Sequence, residues 1–381
     1  MVDKEKCCGC SACMSVCPKN CISMCWDKEG FLYPVVDKNI CINCGLCEKV
    51  CPALRKGEKQ TDIKAYACIN KDNDVKMSSS SGGAFSVFAE YVLEQNGVVF
   101  GAVFDENFAV IHSYIEDKKD LYKLRGSKYV QSDMQDSYRK AQEFLDLERM
   151  VLFSGTSCQI AGLKSFLRKE YDNLICVDVI CHGVPSPLVF KKYIDQRKKQ
   201  YGESIKEIRF REKTEGWINY SMKIDFDSQS FRKNARDDEY LRGFIHSLYL
   251  RPSCYHCNYK DFTCGSDISL ADFWGIKKVL PEFFDKNGVS MVLVNSETGD
   301  KIFELVKDKL LVETVNLEDC IRCNSAIVSS AKWNKRRKKV FKKTKSDNVI
   351  EVIQKAMESN IINRINMKIR KIIKNKKLIG R

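Results

Sequence analysis

Several familiar features are missing from this 381-residue sequence. Met1 to Lys6 runs straight into cysteines without an apolar segment, so the expectation is no secretory signal and a cytoplasmic chain. No stretch approaches 18 consecutive apolar residues, so hydropathy gives no membrane-spanning helix. There is no G-x-G-x-x-G and no G-x-x-x-x-G-K-(S/T), which disfavours a Rossmann dinucleotide fold and a P-loop nucleotidase. The body also lacks a basic surplus. The formal net charge is +14, but residues 332–381 hold 18 Lys and Arg against 3 Asp and Glu, leaving 46 basic and 47 acidic residues elsewhere. Nucleic acid is therefore not expected as a partner.

Cysteine is what the chain has in excess. Twenty cysteines, many at C-x-x-C spacing in a chain expected in a reducing compartment, favour metal or cluster ligation over disulfides. The length suits two or three domains, and 44% hydrophobic residues can bury a sizeable core. One repeat stands out: Cys7-x-x-Cys10-x-x-Cys13-x-x-x-Cys17-Pro18 recurs 34 positions later as Cys41-x-x-Cys44-x-x-Cys47-x-x-x-Cys51-Pro52. Three thiolates at two-residue gaps wrap three corners of one cubane, and the fourth, before Pro, turns toward a neighbouring cluster. Cys7, Cys10, Cys13 and Cys51 are thus expected on one 4Fe-4S cluster, and Cys41, Cys44, Cys47 and Cys17 on another. Paired zinc knuckles would have no use for the third step or the trailing Cys-Pro. Cys8, Cys21 and Cys25 fall outside the pattern and are expected to be small buried side chains near the clusters.

Downstream, residues 58–75 read as a polar link leading into a strand at Ala65–Ile69. Helices are predicted at Gly83–Gln95, Asp136–Leu147 and Gln159–Lys169, alternating with strands at Gly97–Phe104, Val151–Phe153 and Leu174–Ile180. This alternation predicts an α/β domain with a mostly parallel sheet. Residues 205–232 read as hairpin material. Cys158 and Cys181 each follow a strand, and a right-handed crossover would bring both to the carboxyl edge of the sheet. With Cys254-x-x-Cys257 they make a candidate third cluster site, against the alternative that Cys158 and Cys181 are buried small residues. Cys176 is expected in the core, Cys264 is a reserve ligand, and Cys320-x-x-Cys323 is read as structural.

Ser78 to Phe85 leads into a helix with serine hydroxyls and glycine amides, a cradle suited to phosphate, although an N-capped serine-glycine turn looks the same. Arg125 to Ser132 adds a basic, aromatic loop suited to a pyrophosphate and an isoalloxazine. Clusters pass single electrons, so two-electron chemistry calls for an organic cofactor.

The blocks SSGGAFS (80–86), GSKYVQS (126–132), LFSGTSCQIAGLKSFL (152–167), DVICHGVPSP (178–187), IRFREKTEGW (208–217), RPSCYHCNYK (251–260) and SDISLADFWGI (266–276) carry a resemblance. The chain resembles the coenzyme F420 hydrogenase/dehydrogenase beta-subunit family, in the bacterial form with an N-terminal two-cluster ferredoxin. The resemblance implies an FAD-binding α/β domain with its own 4Fe-4S cluster, passing electrons between clusters and flavin. By position it implies Ser80, Ser81, Gly82, Gly83, Ser127 and Lys128 as flavin contacts, and Cys158, Cys181, Cys254 and Cys257 as ligands of the third cluster. His182 would tune the cluster or flavin, or simply pack its loop. Ser157 stands where the family usually has Pro, and only the turn is expected to change. The family name does not choose between a deazaflavin, a nicotinamide and an organic substrate as hydride partner.

Lys332 to Lys345 is a charged run expected to stay solvated. Beyond it, Ile361, Ile362, Ile365, Ile369, Ile372 and Ile373 form an apolar stripe flanked by Arg364, Lys368, Lys371 and Lys374. Such a helix suits weak association with an anionic membrane surface, or docking on a partner or on its own core. The expected organisation is an α+β ferredoxin-like two-cluster module (1–57), the flavin-binding N-terminal part of the beta-subunit domain (58–150), its third-cluster part (151–330) and a basic amphipathic, helical tail (331–381). The expected function is an iron–sulfur flavoprotein oxidoreductase exchanging hydride with an unidentified donor or acceptor, with a redox protein or small molecule as partner. The alternative is an electron-carrier subunit of a larger redox complex with no substrate of its own. The expected location is cytoplasmic, with room for peripheral contact to the inner membrane face.

Overall fold

A computed structural model describes residues 2–55, 57–343 and 348–358. The cysteine repeat is also a repeat of backbone. Gly9 and Ser11 in the first half, and Asn43 and Gly45 in the second, have positive φ of 73°, 64°, 51° and 71°. Each pair leads into a one-turn helix, Ala12–Ser15 or Leu46–Lys49. Left-handed residues between cysteines wind the loop tightly; glycine and asparagine tolerate that conformation best. An antiparallel ribbon of β1 (Ile22–Trp26) and β2 (Leu32–Val36) separates the two halves.

The body is built on β3 (Lys64–Asn70), β4 (Val98–Phe104), β5 (Val110–Ile115), β6 (Val151–Thr156) and β7 (Leu174–Val179). A separate three-stranded antiparallel sheet follows, β8 (Ile205–Glu212), β9 (Ser221–Phe226) and β10 (Ser230–Asn234), so the expected hairpin gains a strand. β11 (Ile268–Asp272), β12 (Ser290–Val294) and β13 (Leu310–Val315) then return to the main sheet. Its order is β13-β3-β12-β11-β7-β6-β4-β5. The central run β11-β7-β6-β4 is parallel, and the strands beside it pair antiparallel. The crossover through the helix Ser157–Leu167 leaves β6 and β7 parallel, so Cys158 and Cys181 do emerge at the same carboxyl edge.

Alternation along the strands sorts the core into two faces. Val99, Leu152, Val177 and Val292 pack with the helices Ala84–Glu94 and Glu297–Val306. Phe100, Val151, Phe153 and Cys176 face the helices Ser137–Asp146 and Ser157–Leu167, and this cluster also contains Cys8, Cys10, Ala12 and Val50 of the cysteine module. The module therefore shares the body's core. Gly162 makes the contact possible, since a Cβ there would lie 2.8 Å from Cβ of Cys10.

Two arginines fasten the module by its carbonyls. Arg139 donates to the Ser15 carbonyl at 2.7 Å, the Met14 carbonyl at 3.2 Å and the Asn20 side chain at 2.8 Å. Arg251, with no exposed surface, donates from Nε to the Cys7 carbonyl at 2.7 Å, from Nη2 to the Leu32 carbonyl at 2.9 Å and from Nη1 to Gln131 Oε1 at 3.0 Å. Its guanidinium also lies 4.1 Å from the centre of the Tyr33 ring.

The charged tail departs from expectation. The helix Arg337–Lys343 buries Arg337, Val340 and Phe341, and residues 349–358 form a further helix burying Val349, Ile350, Ile353, Ala356 and Met357 in the same core cluster. Arg337 is buried because it has a partner: it grips Glu29, in the turn between β1 and β2, at 3.0 and 2.5 Å, and donates to the Leu250 carbonyl at 2.9 Å. A paired charge can be buried where an unpaired one cannot. The isoleucine stripe at 361–373 lies outside the described residues. Among those described, no helix is long and apolar enough to cross a membrane.

Replacing Arg251 with Met leaves three buried acceptors without their donor, at roughly 1 kcal/mol or more each. We expect Arg251→Met to lower the unfolding free energy by about 3 kcal/mol and to expose the amides of residues 7–13 first in hydrogen exchange. An unchanged denaturation midpoint and exchange pattern would contradict the docking role.

Candidate functional site

Seven of the eight repeat cysteines fall into two neighbourhoods, which share Cys13 and Cys47. One cavity is lined by Cys7, Cys10, Cys13 and Cys51, together with Cys8 and Cys47. Cys17, Cys41 and Cys47 pack together in a second group, and Cys44 is exposed at the surface. Burial pushes the Cys13 thiol up to about 12, with the nearby Cys7 and Cys51 adding to the effect. Such thiols ionise only with a cation to compensate them, and iron in a cluster is one.

The cysteines outside the pattern do not share one fate. Cys25 is exposed on β1, so it is not packed near the clusters. Its strand turns alternate side chains outward, and Cys25 falls on an outward position. Cys21 lies within 3.3 Å of Cys17, sulfur to sulfur, and also contacts Cys41, so it lines the second neighbourhood. Cys8 is buried in the core that the module shares with the body, its sulfur 3.7 Å from the Tyr259 hydroxyl, with Cys158 packed against the same cluster.

The downstream cysteines come from four places in the chain. Cys158 lies in the first turn of the helix Ser157–Leu167, whose N-cap Thr156 and Gln159 form a capping box. Cys181 follows β7, Cys254 sits in the 3-10 turn Pro252–His256, and Cys257 comes directly after it. Cys181, Cys254 and Cys257 lie near one another, and Cys158 lies near Cys257. Burial pushes the Cys254 thiol up to about 12, and Cys181 beside it acts in the same direction. The Val184 amide donates to Cys254 Sγ at 3.3 Å, and Lys260 Nζ caps the carbonyls of Cys181 and Ala326. Among the described residues no three His, Cys, Asp or Glu side chains stand close enough to hold a single metal ion. A four-iron cube is a larger body held from its corners.

Burial and packing account for the remaining cysteines. Cys176 is fully buried in β7, and Cys264 is buried behind Cys181 with Ser266 as its partner. Cys320 is buried, with Cys323 beside it against Gly275. His182 shares a hydrogen bond with Ser247 at 3.1 Å and meets Phe244 edge-on, which is the loop-packing role. Ser157 does more than change a turn. Its hydroxyl donates at 2.6 Å to the buried Asp178 carboxylate, which Ser266 and Ser269 also reach, and a proline there would have no such donor.

At the same sheet edge the serine-glycine loop and the loop at 126–132 meet: the Ser127 amide donates to Ser80 Oγ at 2.6 Å. Lys128 Nζ donates to the Arg125 and Gly126 carbonyls at 3.1 and 3.3 Å, and burial pushes its pKa down to about 7. The other hydroxyls serve the fold. Ser78 and Ser79 bond back to the preceding helix, and Ser81 donates to the Val289 carbonyl at 2.8 Å. Gly82 is required by packing, because a Cβ would lie 2.6 Å from the Cys68 carbonyl oxygen and the Ser290 amide nitrogen. Gly83 has φ of 85° at the N-cap of the next helix.

Beside this loop stands a group that spacing alone did not single out. Arg211 pairs bidentately with Asp272 at 2.8 and 3.0 Å, Trp217 Nε1 donates to the same carboxylate at 2.6 Å, and Trp217 stacks on Trp274 with centroids 4.9 Å apart. Lys213 Nζ is shared among the carbonyls of Lys76, Ser81 and Asn287 at 2.6 to 2.9 Å, tying the serine loop to β8. The signal was present in the blocks at 208–217 and 266–276, which this group brings together.

The loop at 126–132 is anchored by a buried histidine. His112 Nε2 lies 2.7 Å from the Ser154 carbonyl and must donate to it, so Nδ1 accepts from Ser132 Oγ at 3.1 Å, while Gln159 donates to that hydroxyl. Burial, aided by Lys128, pushes the His112 pKa down to about 4. Unfolded, the ring takes a proton below its ordinary value near 6.5, whereas the folded ring stays neutral, so stability present above that pH falls as pH drops toward 4. Between about pH 6.5 and 5 this residue contributes roughly 2 kcal/mol of the loss. Denaturant unfolding of the native protein and His112→Gln at both pH values checks this: the variant's pH dependence should be shallower by that amount, and parallel curves would contradict it.

Residues 148–320 match the family described as the C terminus of the coenzyme F420 hydrogenase/dehydrogenase beta subunit, and residues 6–54 match the 4Fe-4S dicluster domain. No curated protein matches the chain. Among solved structures it is similar to one from the F420-reducing NiFe hydrogenase complex of Methanosarcina barkeri, at 16% identity and a TM-score of 0.46, over 79% of this chain and 92% of that one.

Proposed function

Because the chain belongs to the coenzyme F420 hydrogenase/dehydrogenase beta-subunit family and carries a 4Fe-4S dicluster ferredoxin domain, we propose that it is an iron–sulfur flavoprotein oxidoreductase. In this reading Cys7, Cys10, Cys13 and Cys51 hold one cluster of the ferredoxin, and Cys17, Cys41, Cys44 and Cys47 the other. Cys158, Cys181, Cys254 and Cys257 hold a third, and Ser80, Ser81, Gly82, Gly83, Ser127 and Lys128 contact an FAD. The observation that carries the proposal is that Cys181, Cys254 and Cys257 lie near one another, half-buried, with Cys158 near Cys257 and Cys8 of the ferredoxin loop near both Cys158 and Cys257.

Bound there, clusters supply one-electron transfer and FAD supplies two-electron exchange. The chain's own residues do the rest. Arg251 holds the ferredoxin's first loop and opens the turn carrying Cys254, so both ligand sets share one rigid support. Lys260 steadies the loop after Cys181. Arg211, Asp272, Trp217 and Lys213 keep the carboxyl edge rigid beside the two loops assigned to the flavin. Hydride exchange with a deazaflavin, a nicotinamide or an organic molecule would occur at that edge.

A second reading, an electron-carrier subunit without a substrate of its own, is favoured by one observation. Three of the four serines at 78–81 donate to the protein's own carbonyls, and Gly82 is required by packing, so the loop is complete without a ligand.

Anaerobic reconstitution separates these. About twelve irons are expected per chain, with Cys254→Ser losing about four, since each cluster holds four. About eight irons, unchanged by Cys254→Ser, would remove the third cluster. A bound flavin bleached by NADH, reduced deazaflavin or reduced ferredoxin supports the oxidoreductase, and a protein without flavin that still reduces a partner supports the carrier.

A further inference from the structure

The chain's basic surplus plays no part in the function proposed above. Between Lys332 and Lys343 stand eight Lys and Arg with no Asp or Glu, past residue 320, where the family match ends. Arg337 turns into the core toward Glu29, but Lys332, Lys335, Lys338 and Lys339 are exposed. The start of this segment lies over the turn that carries Cys254 and Cys257. The Cys257 amide donates to Ser330 Oγ at 2.9 Å. The Trp333 ring meets Tyr255, which stands between the two cysteines, edge-on with centroids 4.7 Å apart. Asn334 Nδ2 donates to the His246 carbonyl at 2.8 Å, and the Tyr255 hydroxyl donates to the Ser247 carbonyl at 2.8 Å. These bonds bring Trp333 beside Ile245. Both are large apolar side chains left in solvent, at 48% and 47% exposure. The turn itself reaches the surface: Cys254 and Cys257 are half-buried, and His256 between them is exposed.

We propose that this face, Trp333 and Ile245 rimmed by Lys332, Lys335, Lys338 and Lys339, docks an acidic one-electron carrier protein beside the third cluster. This rests on the reading of Cys158, Cys181, Cys254 and Cys257 as ligands. An exposed aromatic within a charged rim divides the work of a transient interface: the apolar group gives contact and the charge speeds encounter. The sign of the rim selects a partner with a negative surface. It stands out because residues 1–331 balance 46 basic against 47 acidic side chains. Two apolar side chains offer little area to a bilayer, whereas a short-lived redox encounter needs little. The step served is the passage of one electron between the carrier's iron–sulfur centre and the cluster assigned to that turn. One is oxidised as the other is reduced, with no bond formed and no proton moved. A carrier docked here exchanges electrons with the α/β domain without using the surface of the ferredoxin module.

The test uses the full-length, anaerobically reconstituted protein, with a strongly acidic two-cluster bacterial ferredoxin as the carrier. It compares the unmodified chain with Trp333→Ala and with the triple form Lys335→Glu, Lys338→Glu, Lys339→Glu. Iron content should be the same in all three. For the unmodified chain the second-order rate of electron exchange, read by stopped flow, should fall steeply with salt. In the triple form it should be about tenfold or more slower at low ionic strength and nearly independent of salt. The two should converge near 1 M salt, where charges act over only about 3 Å. Trp333→Ala should weaken ferredoxin binding, read by sedimentation, by roughly tenfold while the salt dependence remains. With a basic cytochrome as acceptor, the triple form should not be slower. Equal rates for the unmodified and triple forms at full iron content would overturn the docking face, as would a slowing that the cytochrome shares. A triple form that exchanges with ferredoxin at the unmodified rate but no longer binds phosphatidylglycerol vesicles would overturn it in favour of a membrane surface. If the unmodified protein holds only about eight irons, indifferent to Cys254→Ser, the third cluster fails. Sedimentation of the ferredoxin with the unmodified and triple forms then still decides the docking face.

Discussion

The buried guanidinium of Arg251 is the interaction on which the arrangement depends. It reaches the carbonyls of Cys7 and Leu32 and the side chain of Gln131. It therefore joins the first cysteine loop, the ribbon behind it and the loop at 126–132 around one cation. Its own backbone begins the turn that carries Cys254. Removing such a group from water costs several kcal/mol unless its donors are met, and here each nitrogen meets an acceptor. The ferredoxin domain is thus held as part of the body's core, and distances between the two sets of thiols are set by packing rather than by a linker.

Much of this fold was legible because it follows from local periodicity. The helix at Ala84–Glu94 and the strands at Val98–Phe104 and Leu174–Val179 came within a residue or two of expectation, since alternation and 3.6-residue spacing are recorded in the chain itself. The common edge of Cys158 and Cys181 followed from the handedness of one crossover. What could not be read was pairing across long separations. Arg337 looks like one more charge in a basic run until Glu29, far away in sequence, takes it into the core. Cys8 looks like a spacer inside C-x-x-C until the body's core takes it in beside Tyr259. Ser157 looks like a missing proline until Asp178 accepts its hydrogen bond. Each depends on a partner that no spacing rule names.

The serine-glycine loop teaches the opposite lesson. Its composition suggested an anion cradle, but Gly82 and most of the hydroxyls are accounted for by contacts within the protein. What supports the proposed flavin there is the junction of this loop with Ser127, beside the Lys128 amine and next to the Arg211–Asp272 pair. The edge of the sheet is rigid where the thiols and these loops come together, and rigidity there keeps reorganisation small during electron transfer.

The central claim is that one path of thiol-held iron runs from the ferredoxin into the α/β domain. The most direct measurement is an iron anomalous-difference map from crystals of the reconstituted protein grown without oxygen. Three separate peaks are expected, the third enclosed by Cys158, Cys181, Cys254 and Cys257. Two peaks confined to residues 7–51, with those four sulfurs free or holding a single zinc ion, would contradict it.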